Sequence, residues 1–423
     1  MSTSTPRILL IAPYYDKQTP GESWSTFKWA EGISALYPTT ILTAHKRQWD
    51  PTRSPLNAEE IINFEDYSLP RFLGRLEREL KPLYFSFYQK ASTWLENAAN
   101  SRPKYDLIHQ INPLALRYPS PAIHYPAPFI IGPLAGSLPT PYGFRKENVD
   151  RTWYRHLRRF DSLRHRHDPW LRRTYESAAT IIGAAPYVRE ILSAIPIQRF
   201  EVMSETGVEL IPGTPRTYDN NRPLRLLYVG RIIRTKGVID AIRAIAIANK
   251  KADVRLDIIG TGDMLDECKR EATNLHLQSK VTFHGQLPKD ALTSFYKESH
   301  VFLFPSFREP SGNVVFEALS YGLPVITTTI GGPASTVTDA CGFRITPTVP
   351  ETFAEDLSKA ILVLKADPQM LTSKSRGALQ RMRDIALWEG KIMQISHLYE
   401  SILTQTSSLY TFPHRQHGTI TQR

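Results

Sequence analysis

Glu309 and Glu317 stand eight residues apart in the stretch FLFPSFREPSGNVVFEALSYGLPVI, where an apolar run, Val301–Phe304, passes into a loop and then into a helical pattern. In that arrangement Glu309 sits at the open end of a strand and Glu317 on the opening turns of the helix that follows. Between them Ser311, Gly312, Asn313 and Val314 offer backbone N–H groups at a helix N-terminus, a place that holds anions. Two carboxylates suit sugar hydroxyls and a helix end suits phosphate, so the stretch reads as a pocket for a nucleotide sugar. Taken singly, either glutamate is an ordinary surface acid on a strand-loop-helix unit. The combination carries the reading.

Further upstream an apolar run, Leu224–Val229, leads directly into GRIIRTKG. Gly230 permits a sharp exit from the strand. Arg231 and Lys236, five residues apart, can then project toward one edge of a cleft. Two cations there would hold a diphosphate and stabilise the charge on a departing nucleoside diphosphate. Next, in LDIIGTGDMLDECKREA, Gly260 and Gly262 follow a buried strand and precede a helix, which would let backbone approach a flat ligand such as a nucleobase. The segment VTFHGQLPKDAL supplies another strand-turn-helix, in which Gly285 and Leu287 would border that base.

These residues need strand ends to hold them. In the first half of the chain residues 7–12, 40–43, 106–110, 129–132 and 180–184 read as short apolar strands, with a helix over 24–36 and in the basic stretches. The second half repeats the scheme, with strands at 224–229, 255–260, 280–284, 301–304 and 324–328 and helices at 238–249, 264–274 and 289–298. Such alternation predicts α/β architecture, parallel strands joined by crossover helices. A chain of 423 residues is too long for one core. The expectation is two Rossmann-like doubly wound domains facing a central cleft, residues 1–208 and 224–387. The joint is 209–223, ELIPGTPRTYDNNRP, where Pro, Gly and Asn cluster without periodicity. A helix over 388–408 is long enough to return to the first domain, and 412–423 read as a disordered tail.

Strand ends carrying Arg231, Lys236, the Gly260–Gly262 turn, residues 283–288 and Glu309-x7-Glu317 occur in this order, and here the chain resembles the retaining glycosyltransferases of family four, which have the GT-B fold. The resemblance is strong over 224–345 and is met only in outline in the first domain. It implies that Arg231 and Lys236 contact the donor's diphosphate, that Glu317 binds the ribose hydroxyls, and that Glu309 faces the donor sugar near the reacting carbon. Gly331-Gly332-Pro333 and Gly342-Phe343 are similar to family landmarks, while Ser335 and His300 stand where the family usually has an acid. In the first domain the family commonly carries two alternating histidines after an aspartate. In YDLIHQINPLALRYPSP, Asp106 and His109 match, but Ile111 holds the second position. His109 is therefore the candidate there, with Gln110 or Asn112 as replacements for the polar contact. Gly21 and Glu22 occupy the place of the family's glycine-rich first loop, and IIGPLAGSLPTPYGF sets Gly132 and Gly136 where a phosphate would pass.

The resemblance implies a hexosyltransferase that takes a nucleoside-diphosphate sugar as donor substrate, with no cofactor and no metal required. No D-x-D motif, no G-x-x-x-x-G-K-[ST] loop and no G-x-S-x-G elbow occurs in the sequence. His165 and His167 alternate before Asp168 without a third ligand nearby. Cys268 and Cys341 have neither metal-ligand spacing nor disulfide density, which fits a reducing compartment. MSTSTPRILLIAPYY reads as a first strand and not as a signal peptide, and no run approaches a membrane span.

Net charge is +11, and much of the excess is local. Residues 151–173 hold eight Arg against two Asp, and 71–95 interleave cations with bulky apolar groups. Both stretches read as basic amphipathic helices suited to an anionic membrane surface. The expected acceptor is a saccharide or lipid-linked saccharide, no nucleic-acid partner is expected, and the expected setting is cytoplasmic, with peripheral docking on the inner face of the plasma membrane. Competing expectations are another GT-B-type enzyme, such as a nucleotide-sugar epimerase or glycan phosphorylase, and a non-catalytic member that binds membrane or nucleic acid.

Overall fold

The computed structural model describes residues 5–19, 21–44, 54–65, 84–101, 104–145 and 161–410. Residues 71–83 and 151–160 of the two basic stretches, and the expected tail, lie outside the described residues.

In the first domain the strands are β1 Ile8–Ile11, β2 Thr39–Thr43, β3 Glu60–Asn63, β4 Leu107–Gln110, β5 Phe129–Leu134, β6 Thr180–Gly183 and β7 Phe200–Val202. They form one parallel sheet in the order β3-β2-β1-β4-β5-β6-β7. In the second domain β8 Leu224–Val229, β9 Val254–Ile259, β10 Val281–Gly285, β11 Val301–Phe304, β12 Val325–Thr328 and β13 Gly342–Ile345 are parallel in the order β10-β9-β8-β11-β12-β13. The central strands β1, β8 and β11 are short, mainly apolar runs buried under helices, which is why they stand out in the sequence, while β4 ends in the buried His109 and Gln110. Pattern reading misses β3, β7 and β13. Each is an edge strand of three or four residues with part of its side chains in solvent, too short for either an apolar run or an alternation to register.

Each sheet reverses its winding once, between β1 and β4 and between β8 and β11. Ligands of such sheets bind beyond the carboxyl ends of the strands at these switch points. Leaving β8 the chain runs into Gly230, and leaving β11 it runs into the loop of Glu309.

The helix Trp388–Tyr410 returns to the first domain and lies along the helix Glu22–Leu36. Trp388 packs edge-on against Trp24 and Trp29, with ring centroids 5.9 and 5.5 Å apart. Close approach of the two helices requires Gly32, since a Cβ there would lie 2.4 Å from Ile392 Cγ1. A second crossing runs the other way. Phe144, on a short turn of first-domain chain, is fully buried in the second domain's core, 4.4 Å from Phe307 and 5.8 Å from Phe353 between ring centroids.

Candidate functional site

At the end of β8, Gly230 turns the backbone and Arg231 is exposed, its carbonyl accepting from the Tyr228 hydroxyl at 2.9 Å. A short turn, Arg234–Lys236, brings the chain back. Arg234 anchors that turn: it pairs with the buried Asp240 at 2.6 Å and lies 5.2 Å from the rings of both Phe144 and Phe307. Lys236 is thereby carried inward, almost buried, with Nζ 5.7 Å over the Phe304 ring.

Lys236 Nζ donates to Glu309 Oε2. The two residues singled out at separate strand ends therefore form one ion pair across the β8–β11 switch point, each side chain largely shielded from water. Glu309 is held by its own backbone, whose carbonyl accepts from Gly332 N at 3.0 Å. That contact requires Gly331, because a Cβ there would lie 2.0 Å from Glu309 O. Gly312, in the left-handed region at φ 90°, caps the helix Asn313–Ser320. The first N–H groups of that helix, at Asn313 and Val314, thus begin beside the Glu309 side chain. Glu317 follows on the same helix, half-buried, and accepts from the Tyr296 hydroxyl at 3.0 Å. Burial pushes its carboxyl up, while the Tyr296 bond and the charge of Lys289 pull it back. Tyr296 stacks on Tyr321 at 5.1 Å, which fixes the donor. Leu287 is half-buried on the second-domain core.

The G-x-G turn has a different physical basis from the one expected. A Cβ on Gly260 would lie 1.9 Å from Gly230 O, and one on Gly262 would lie 2.1 Å from Ile232 O. These glycines admit the neighbouring β8 loop: Ile232 N donates to Thr261 O at 2.8 Å, and Met264 N to Ile232 O at 3.1 Å. They shape the Arg231–Lys236 loop from behind. Gly285 is the open one, with no atom within 4 Å of a Cβ built there.

Across the cleft His109 does not take the expected catalytic position. It is fully buried, with Nε2 bonded to the Gly132 carbonyl at 2.8 Å and Nδ1 to the Tyr399 hydroxyl at 2.7 Å. Burial lowers its pKa to about 4, against the opposing effect of the Gly132 bond. Gln110 bonds the Tyr84 hydroxyl at 3.3 Å and Asn112 the Tyr14 carbonyl at 2.7 Å, both buried, and Ile111 is in the core. All four are buried, with Gln110 Oε1 and Asn112 Oδ1 left without a hydrogen-bond partner. Glu22 carries out a loop-building role: its Oε1 accepts from Leu114 N at 3.0 Å, tying the first loop to the turn after β4. Gly21 and Gly136, at φ 93° and 106°, have open space on their Cβ sides.

Sequence reasoning missed two buried charges at the domain seam. Glu205, after β7, lies against the Ser311 hydroxyl and within electrostatic range of Glu309. Lys391, on the returning helix, is buried 5.5 Å over the Trp29 ring and feels the Glu205 charge. A lysine three residues after Trp388 and four before Ile395 stands on that helix's apolar face, and this was the signal available. Among the described residues no three His, Cys, Asp or Glu side chains gather as a metal-ion cluster, and no helix is long and apolar enough to cross a membrane.

Residues 216–372 match the family described as glycosyl transferases group 1. The capsular polysaccharide biosynthesis glycosyltransferase CapM of Staphylococcus aureus is 34% identical over 143 residues, 32% of this chain and 36% of that protein. Aligned segments span between about a third and a half of the length of the curated relatives they match. Among solved structures, the sucrose-phosphate synthase of Thermosynechococcus elongatus superposes with a TM-score of 0.62 at 20% identity, covering 95% of this chain and 100% of that one. The Anabaena protein HepE in complex with UDP and glucose superposes at 0.59 and 15% identity, covering 94% and 100%. At that identity the likeness bears on the fold, which is GT-B.

Proposed function

Because residues 216–372 form a glycosyl transferases group 1 domain within a GT-B fold, we propose that the protein is a retaining glycosyltransferase that moves a sugar from a nucleoside diphosphate to a saccharide or lipid-linked saccharide. The observation that carries this reading is the Lys236–Glu309 pair at the β8–β11 switch point, flanked by Arg231, by the N-terminus of the helix Asn313–Ser320 and by Glu317. A diphosphate lying there exchanges the Glu309 carboxylate for phosphate oxygens at Lys236. Glu309 is then released toward the sugar, and Glu317 toward the ribose. The bond from the anomeric carbon to the leaving phosphate oxygen breaks as the acceptor oxygen forms its bond on the same face. The acceptor's proton passes to that phosphate oxygen, and Arg231 and Lys236 stabilise the departing charge in place of a metal ion. Losing one such cation costs on the order of a hundredfold in turnover.

HepE in complex with UDP and glucose supports a uridine nucleotide as the first donor to try, and CapM supports a cell-surface polysaccharide acceptor. Docking on the inner face of an anionic membrane is supported by the described part of the basic stretches, where Trp170 and Leu163 are more than half exposed beside Arg164, Arg166, Arg172 and Arg173. The experiment is a melting screen against nucleoside diphosphates and their sugars, since a ligand of the folded state raises the midpoint. Lys236→Ala and Glu309→Ala should abolish transfer with folding intact. Near-normal transfer in both would refute the assignment.

A further inference from the structure

We propose that Glu205 is a specificity-determining residue of the cleft, its carboxylate accepting a hydroxyl of the transferred sugar; this rests on the nucleotide-sugar reading above. Glu205 belongs to the first domain, yet the side chain it lies against, Ser311, belongs to the second, between Glu309 and the capping Gly312. The carboxylate is buried, and its Oε2 has no hydrogen-bond partner. An ionised carboxylate accepts several bonds, and a shielded oxygen without one calls for a donor.

Chemistry at this spot narrows what the donor is. Lys236, Arg231 and the helix N-terminus define where a diphosphate lies, and Glu309 is the carboxylate beside it. On that reading a group that bonds Ser311 and feels the Glu309 charge adjoins the sugar that follows the phosphates. Tyr187 closes the same spot from the first domain. Its hydroxyl accepts from Gly136 N at 2.9 Å, and it feels the charges of both Glu205 and Glu309. Gly136 leaves that side of the loop open. Sugar hydroxyls are donors, and a carboxylate is the side chain that accepts two of them at once.

Lys391 is the cation whose charge Glu205 feels. Burial first, and the Glu309 charge with it, raise the pKa of Glu205, while the Ser311 bond and the Lys391 charge act against them. The lysine comes from the helix Trp388–Tyr410, and the Trp29 indole that lies beneath it also donates from Nε1 to the Glu205 carbonyl at 3.0 Å. Backbone and charge of Glu205 are thus both held by the face that the returning helix covers, and Oε2 is left without a protein donor.

The test measures binding of UDP, GDP and ADP against UDP-glucose, GDP-mannose and ADP-glucose by calorimetry, in wild type and E205Q. For the nucleotide that wild type binds, E205Q should bind the diphosphate as wild type does and the sugar nucleotide about tenfold or more weakly, the loss of one hydrogen bond to a charged group. An E205Q protein that melts lower but keeps the wild-type ratio of the two affinities makes Glu205 a seam residue only and overturns the inference, leaving the functional reading in place. Wild type that binds none of the six ligands overturns that reading and the inference with it. Should E205Q not fold, E205D retains the charge facing Lys391 while withdrawing both oxygens by one methylene, and the same comparison decides.

Discussion

Substituting His109 separates a histidine that builds the cleft from one that works in it. The ring is fully buried and bridges β4 to β5 through Gly132 and to the returning helix through Tyr399. A carbonyl only accepts, so Nε2 carries the proton and Nδ1 accepts from Tyr399. Burial holds the folded pKa at about 4, whereas the unfolded chain titrates near 6.5. Between those values the unfolded chain binds more protons, so stability rises with pH across the window. The contribution is complete above about 6.5 and is lost as pH falls through about 4. At roughly 1.4 kcal/mol per unit it amounts to about 3 kcal/mol. His109→Phe fills the space but orphans Gly132 O and the Tyr399 hydroxyl, a loss of about 2–5 kcal/mol at pH 7.5. Urea midpoints of wild type and variant at a series of pH values supply the assay. His300 is also lowered, to about 4 by burial first, so the informative quantity is the difference between the two proteins. That difference should shrink by about 3 kcal/mol from pH 7.5 to pH 4, with nucleotide affinity unchanged. A pH-independent difference, or lost nucleotide affinity with stability unchanged, would refute the reasoning.

Gly260→Ala should be destabilising by well over about 1 kcal/mol, because its Cβ would lie 1.9 Å from Gly230 O at φ +140°; melting reads the loss, and diphosphate affinity should fall as the Arg231–Lys236 loop shifts. For Phe144→Ala the expected loss is about 3–5 kcal/mol, and proteolysis near residue 144 should accelerate because the turn no longer plugs into the second domain; unchanged cleavage would contradict it. Lys391 is lowered to about 7, chiefly by burial, so the unfolded chain binds the extra proton between about 7 and 10.4 and wild-type stability should gain with pH there. In Lys391→Met that gain should be absent, as denaturant midpoints at pH 7 and 9.5 would register.

Much of the site was legible because its residues lie at strand ends in chain order. Arg231, Lys236, Glu309, Gly312 and Glu317 each follow or precede a run whose apolar character is local, and local patterns are what a sequence displays. The same reasoning erred at His109, whose place after an aspartate on a strand matches a motif, while the face of the strand it occupies depends on which helix covers it. At Gly260 and Gly262 close approach of backbone was expected, and the partner seen there is the next loop.

By itself the sequence determined the two-domain parallel α/β architecture and its central strands, since these follow from periodicity and from breaks in it. Only the tertiary structure decided that Lys236 and Glu309, 73 residues apart, form one pair, because parallel order β8-β11 skips two strands. Likewise Glu205 and Lys391 come within electrostatic range only because the returning helix and the chain after β7 are folded against the same seam. Contacts of such sequence separation are set by packing in three dimensions, and no local pattern encodes them.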